Sequence, residues 1–346
     1  MSWRRRPPRV PGPPERRYRG AVIGLGGVAR QSHLPAFRLP PAAARLEIVA
    51  AVDPWPDAVP LAGIPIVRDL SGLAALELDF VDICTPTASH LDLTLWALTH
   101  GLHVLCEKPV ALTPAEAEQI RQAAVAAGRV VMPCHQYRFN PVWRRMRQWL
   151  DAGAIGPWYL AEFDVCRVRA DPGAGRTPEP WRSRVADARG GVVLDHGTHL
   201  IYQLLDVAGP PSLVQAWSGR LRHAAYDVED TAHLLFEFPG RMAKMFLTWA
   251  GQRRENRIRF TGELGTIDWT GGILTLDRAG TIERFDHSAE LRKESYATWF
   301  ADLFGAFANA MDTGDPEPMN DIARVASILD LAYSSPGDGA TLAALA

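Results

Sequence analysis

Between Gly20 and Leu150 short apolar runs alternate with helical patterns, and few folds accept that alternation. Leu46 to Asp53, Phe80 to Cys84, Leu102 to Cys106 and Val130 to Pro133 are too short for ordinary helices and too apolar for loops. Helical patterns near Leu91 to Thr99, Pro114 to Ala127 and Pro141 to Leu150 separate or follow them. Strands alternating with helices predict a parallel, doubly wound sheet. After Gly156 the character changes. Trp158 to Val168, Asp230 to Phe238, Ala243 to Trp249 and Arg257 to Phe260 read as alternating strands of a mostly antiparallel sheet. A helix over Val192 to Val207 interrupts them, and helices over Ser295 to Met311 and Asp321 to Tyr333 close the chain. The expected fold is α/β: a Rossmann domain over 20–140, then an α+β domain over 141–346 with a large, open-faced sheet.

The chain has 346 residues, 47% of them hydrophobic, enough for two ordinary cores. A net charge of −2 gives no general attraction to nucleic acid or anionic membrane. Small-molecule partners fit better. Cys84, Cys106, Cys134 and Cys166 show no CxxC spacing and read as reduced thiols of a cytoplasmic protein. Residues 1–19, rich in Arg and Pro, read as a disordered tail. An export signal fits less well, because the following AVIGLGGVA is short and broken by glycine.

That segment makes better sense as the first strand and turn of a nucleotide site. Gly24, Gly26 and Ala29 form a GxGxxA pattern, with Gly27 and Val28 inside it. Such glycines let backbone approach a pyrophosphate, and the helix that follows presents amide donors. Alone the pattern is weak. Asp53, ending the second strand, stands where an acid would bind the ribose hydroxyls and repel a 2′-phosphate, so NAD is expected over NADP. Thr85 and Pro86 end another strand at the ligand edge of the sheet. Lys108 also lies at a strand end, before Pro109. Arginine supplies 34 of the 37 basic residues, which makes Lys108, Lys244 and Lys293 candidates for proton chemistry that arginine cannot perform.

Together these segments resemble the Gfo/Idh/MocA oxidoreductase family over roughly residues 20–340. The resemblance rests on AVIGLGGVA, VDICTPTASH (Val81 to His90), CEKP (Cys106 to Pro109) and GGVVLDHGTH (Gly190 to His199), in that order. VEDTA (Val228 to Ala232), GELGTI (Gly262 to Ile267) and AYSS (Ala332 to Ser335) agree with it. It implies that Lys108, Asp195 and His199 converge on a reacting alcohol and the nicotinamide, His199 placing the chain with the His-bearing branch. It assigns the Thr85–Pro86 turn and His90 to the dinucleotide, and Glu107 to the nicotinamide ribose. Tyr137 and Arg138 in HQYRFNPVWRR, and Trp181 and Arg182 in PWRSR, match substrate-facing segments. It also implies a homodimer or homotetramer through the second sheet. No metal is expected.

Chemistry agrees with these roles. Asp195 and His199 are four residues apart, on one face of a helix, and imidazole suits the removal of a hydroxyl proton. Other readings remain: Asp195 as a helix cap, His196 as a rival to His199, Lys108 as a surface lysine, His90 as a solvated residue. Arg167, Arg169, Arg176, Arg182, Arg184 and Arg189 make the stretch before the catalytic helix arginine-rich, either to meet an anionic substrate or as solvated surface. The expected function is hydride transfer between NAD(P) and a ring alcohol or ketone of a sugar, cyclitol or sugar derivative. NAD-dependent glycoside hydrolysis and a nicotinamide-binding regulator without turnover are the alternatives.

Overall fold

The computed structural model describes residues 17–55, 61, 63–171, 180–290, 292 and 295–334. The expectations for residues 1–16, Arg176, Lys293 and Ser335 lie outside them; Tyr18 and Arg19, expected in the disordered tail, instead open the first strand. Strands β1 (Tyr18–Ile23), β2 (Leu46–Val52), β3 (Ile66–Val67), β4 (Phe80–Ile83), β5 (His103–Cys106) and β6 (Val131–Pro133) form a parallel sheet in the order β3-β2-β1-β4-β5-β6. This is the doubly wound order, and its reversal between β1 and β4 opens a crevice at the strand ends.

Both faces of the sheet are covered, which is why its strands read as continuous apolar runs. A π-helical turn, Ala29–His33, and the short helix α1 (Leu34–Ala36) follow β1. Helices α2 (His90–Thr99) and α3 (Pro114–Ala127) bury Ala97, Leu98, Ile120 and Ala124 against one face. The start of α3 shows why these residues fold as they do. Thr113 Oγ1 accepts from the Glu116 amide (3.2 Å), Pro114 opens the helix, and Gly128 (φ 62°) ends it.

Helix α4 (Pro141–Asp151) leads into the second sheet: β7 (Trp158–Cys166), β8 (Leu213–Gly219), β9 (Thr231–Phe238), β10 (Arg241–Thr248), β11 (Glu255–Gly262), β12 (Gly265–Thr270), β13 (Ile273–Arg278) and β14 (Thr281–Asp286). Its order is β14-β13-β12-β11-β7-β10-β9-β8, antiparallel except where β7 meets β10. Between β7 and β8 lie α5 (Val185–Ala188) and α6 (Thr198–Ala208). Met146 of α4 and Ile201, Tyr202 and Leu204 of α6 pack in one core with sheet residues such as Phe163 and Phe260.

Helices α7 (Tyr296–Thr313) and α8 (Glu317–Ser334) return to the first sheet. Phe300, Phe304 and Phe307 of α7 share a core with Phe37 and Phe80. On α8, Ile322 and Ala326 join the first sheet's other core, while Ile328 and Leu329 join the second sheet's. The last two helices thus bind the two sheets to each other.

Candidate active site

The glycine turn after β1 lies against the end of β4. Gly24 has φ +92°, and a Cβ there would come within 2.9 Å of Thr85 Cγ2 and 3.0 Å of the Cys84 carbonyl group. Only glycine suits both the conformation and the contact. Around the Cβ position of Gly26, by contrast, no atom lies within 4 Å. That bare backbone leaves the cradle a dinucleotide phosphate needs, and Gly27, Val28 and Ala29 continue from it into the helical turn. Asp53 closes the other side of the turn: its carboxylate accepts from the Leu25 amide (2.9 Å) and the Trp55 amide (3.0 Å). These residues fit NAD.

His90 is buried, with Nδ1 2.8 Å from the Pro109 carbonyl and Nε2 2.9 Å from the Thr85 carbonyl. It therefore ties the Thr85–Pro86 turn to the turn after Lys108 and is not a solvated helix-start residue. Glu107 points inward. Its carboxylate accepts from His33 Nε2 (3.0 Å) and the Lys108 amide (3.2 Å), while His33 Nδ1 faces Asp82 at 2.9 Å. Burial alone would lower the His33 pKa, but Asp82 and Cys84 together outweigh it and raise it well above the ordinary value. An imidazolium donates from both nitrogens, so His33 braces the Lys108 turn from behind.

Lys108 reaches from that turn to the second domain. Its Nζ donates to the Asp195 carbonyl (2.6 Å) and carboxylate (3.2 Å). Asp195 stands in a π-helical turn, Val193–Gly197, that runs into α6. Glu229 holds this turn by accepting from the amides of Gly191 (2.9 Å) and Val193 (3.1 Å), so Asp195 does not cap it. Burial would raise the Asp195 pKa, yet Lys108 and then Arg182 hold it well below the usual carboxylate range. His199, one turn on, is buried, and its Nδ1 lies 3.0 Å from the Tyr202 hydroxyl. Burial, reinforced by the Lys108 ammonium, keeps the His199 pKa well below the ordinary value, so the ring is neutral at pH 7. His196 is likewise pushed down, to about 3, chiefly by burial.

A cavity of about 460 Å³ opens beside His196 and His199 and runs along β11 towards Trp269, Gly272 and Ser288. Tyr137 lines it, edge-on to His199 with ring centroids 4.4 Å apart. Arg138, an expected substrate contact, instead pairs with Asp321 (Nη2 to Oδ1 3.0 Å) and Asp206 (3.4 Å) and lies over the Tyr202 ring. The carboxylates of α6 and α8 take up its guanidinium. Arg182 meets the site through Asp195: its Nε donates to Asp195 Oδ1 (3.2 Å), and its guanidinium lies 4.4 Å from the Trp181 ring centroid. Arg184 pairs with Asp187 and Arg189 with Glu116, each at 2.6 Å. Of the described loop arginines, Arg167 lines the cavity. Tyr202, His33 and Glu229 carry no mark in the sequence that foretells these contacts, nor do Arg253 and Arg254, which approach the cavity from the turn before β11.

Comparison with known proteins agrees with this architecture. Residues 18–135 match the NAD-binding Rossmann fold model of the GFO/IDH/MocA oxidoreductase family, and residues 143–268 match the family's C-terminal domain. D-apiose dehydrogenase of Paraburkholderia graminis is 30% identical over 276 residues, covering 78% of this chain and 70% of that protein. D-glucoside 3-dehydrogenase of Escherichia coli is 28% identical over 249 residues, 64% of this chain and 66% of that protein. Among solved structures, an oxidoreductase from Agrobacterium radiobacter in complex with NAD+, L-tartaric acid and magnesium superposes with a TM-score of 0.82. It is 21% identical and covers 95% of this chain and 98% of that one. With its glycine turn, its Lys108–Asp195 contact across two sheets and both domain models matched in order, the chain belongs to the GFO/IDH/MocA family of oxidoreductases.

Proposed function

We propose that Lys108, Asp195 and His199 carry out NAD(P)-linked interconversion of a ring alcohol and ketone on a sugar, cyclitol or sugar derivative. The observation that carries these roles is the Lys108–Asp195 contact, which joins the turn at the cofactor edge of the first sheet to the turn that presents His199. The bound nicotinamide supplies the hydride acceptor in one direction and the donor in the other.

The chain supplies the proton chemistry and the alignment. Oxidation of CH–OH to C=O releases a hydride and a proton, and neutral His199 accepts the proton. Where His199 donates its Nδ1 proton to the Tyr202 oxygen, Nε2 is left free to act as base. The Lys108 ammonium donates to the reacting oxygen and stabilises charge that develops there, a donor held in place by Asp195. Asp195, kept ionised by Lys108 and Arg182, accepts from a substrate hydroxyl and orients the ring. In reduction the same groups act in reverse. Asp53 favours NAD, because a 2′-phosphate would face its carboxylate.

The second sheet supports a further part of this reading. One face is buried beneath helices; Trp217, Met242 and Tyr159 stand on its strands 38%, 40% and 49% exposed. Pairing of this face with a second copy gives a homodimer or homotetramer. No helix among the described residues is long and apolar enough to cross a membrane. The four free cysteines, three of them buried, fit a reducing cytoplasm.

A screen of sugars, inositols and sugar conjugates with NAD tests the reaction. NADH formation is the expected result. Release of an aglycone without net NADH would replace dehydrogenation by glycoside hydrolysis, and NAD binding with no turnover would leave a regulator.

A further inference from the structure

Two guanidiniums at the cavity wall have no carboxylate partner among the described residues. Arg167, just past β7, donates from Nη1 to the carbonyls of Cys166 (2.7 Å) and Glu255 (3.1 Å). Arg254 makes no hydrogen bond or ion pair among the described residues. Their neighbours differ: Arg253 pairs with Glu255 at 3.0 Å and Arg257 with Asp268 at 3.1 Å. Burial, and after it the charge of Arg254, lowers the Arg167 pKa. Two like charges on one wall disfavour each other, and an oxyanion between them removes that repulsion while gaining charge-assisted hydrogen bonds.

Other groups on this wall are also unused. Asn256 Oδ1 and the indole Nε1 of Trp269, a residue 9% exposed, are buried without hydrogen-bond partners. Such atoms are costly to leave unpaired, and the indole N–H of a cavity-lining residue is a donor. Asp164 lines the same cavity, but burial raises its pKa, and Lys244 and Arg257 offset its charge. The arginine pair is not remote from the chemistry. Tyr137, stacked edge-on to His199, feels the charge of both Arg167 and Arg254. Beyond them the cavity continues to Gly271, Gly272 and Ser288.

We propose that the substrate is an anionic sugar whose ring alcohol sits at Lys108, Asp195 and His199 and whose phosphate or carboxylate lies between Arg167 and Arg254. This rests on the oxidoreductase reading and names its substrate class. Space beyond the pair admits a further group esterified to a phosphate, so a nucleoside diphosphate sugar fits as well as a simple sugar phosphate.

The test uses the full chain with NAD and four probes: glucose, glucuronate, glucose 1-phosphate and UDP-glucose. Wild type should use at least one anionic probe better than glucose, with a KM that rises with salt. Arg254→Gln should raise that KM by about 10-fold or more, as loss of a charged hydrogen bond does, and reduce its salt dependence. The KM for glucose should change far less. Arg254→Lys should retain part of the affinity, and Arg259→Gln, outside the cavity, should leave every KM alone. Comparison of glucuronate with the two phosphate esters tells carboxylate from phosphate. Preference for glucose with no salt effect, or equal KM changes for charged and neutral probes, overturns the proposal while the oxidoreductase reading stands. If no probe is turned over, titration of tryptophan fluorescence with glucose 1-phosphate and UDP-glucose judges the anion site alone. Saturable binding weakened by Arg254→Gln supports it, and no binding overturns it.

Discussion

Asp53 shows how much one carboxylate at a strand end can decide. It fastens the glycine turn through the amides of Leu25 and Trp55, and we propose that its charge disfavours a 2′-phosphate at this strand end. We predict tighter binding of NADH than NADPH. Asp53→Ser should narrow the gap and weaken NADH by about 10-fold, since a hydrogen bond to a charged acceptor is worth about 1.5–3 kcal/mol. Fluorescence titration of both cofactors measures this, and a wild-type protein that binds NADPH more tightly would refute the assignment. That Lys108, Asp195 and His199 lie together was legible from residue type and motif order. Tyr202 and Glu229 were not. They act through His199 Nδ1 and two backbone amides, and nothing in their own residue types marks such contacts before the chain is folded.

At the scale of elements, the catalytic turn depends on how closely Val193–Gly197 lies against the strand edge. A Cβ added to Gly191 would stand 1.9 Å from the Glu229 carbonyl oxygen. The obstacle is backbone, so it cannot rotate aside. Gly191→Ala should cost about 3 kcal/mol, at the upper end for overpacking, and should lower kcat more than it raises the KM for NAD. Urea denaturation and steady-state kinetics check both parts, and a variant of wild-type stability would contradict the packing. The first sheet was readable because buried parallel strands are uniformly apolar. On the second sheet β8, β12, β13 and β14 escaped notice. Strand β14, Thr281–Asp286, alternates exposed and half-buried residues, and its sequence TIERFD carries three charges, so its apolar signal is thin. The extension of β11 to Glu255 hid as well, behind the arginines that end up at the cavity.

Across the whole molecule the titrating groups set a direction for acid stability. Burial is the first cause of low pKa values at His90, His135, His196 and His199. The unfolded chain binds protons on these rings near their ordinary value of 6.5 while the folded chain does not, so stability falls as pH drops below that value. His33 has the opposite sign. Its raised pKa gives a contribution that is complete below its ordinary value and is lost as pH rises through the folded one. Below the ordinary His value the His33 contribution no longer changes, so the four buried rings set the direction there. Below the ordinary Asp value of 3.8 a second loss begins, because Asp195 and Asp321 have depressed folded pKa values, and their contributions vanish as pH falls through those. The Tm should therefore fall in two stages from neutral to strongly acid pH, and a flat profile between neutrality and the ordinary His value less two units would count against buried neutral rings. The return of α7 to the first sheet, which covers the His33 ring, was hidden in a sequence read segment by segment. Only the folded chain shows that Phe300 and Phe304 close over His33.

The central claim is that His199 takes the proton of a ring alcohol oxidised by NAD(P) while Lys108 donates to its oxygen. The most direct measurement is single-turnover NADH formation by wild type, Lys108→Met and His199→Asn with a sugar substrate and saturating NAD. Both variants should lose about 10²-fold or more in rate, the usual contribution of a positioned acid or base, while His199→Asn binds NADH nearly as wild type does. Rates close to wild type in either variant, with chemistry limiting, would contradict that residue's role in the reaction.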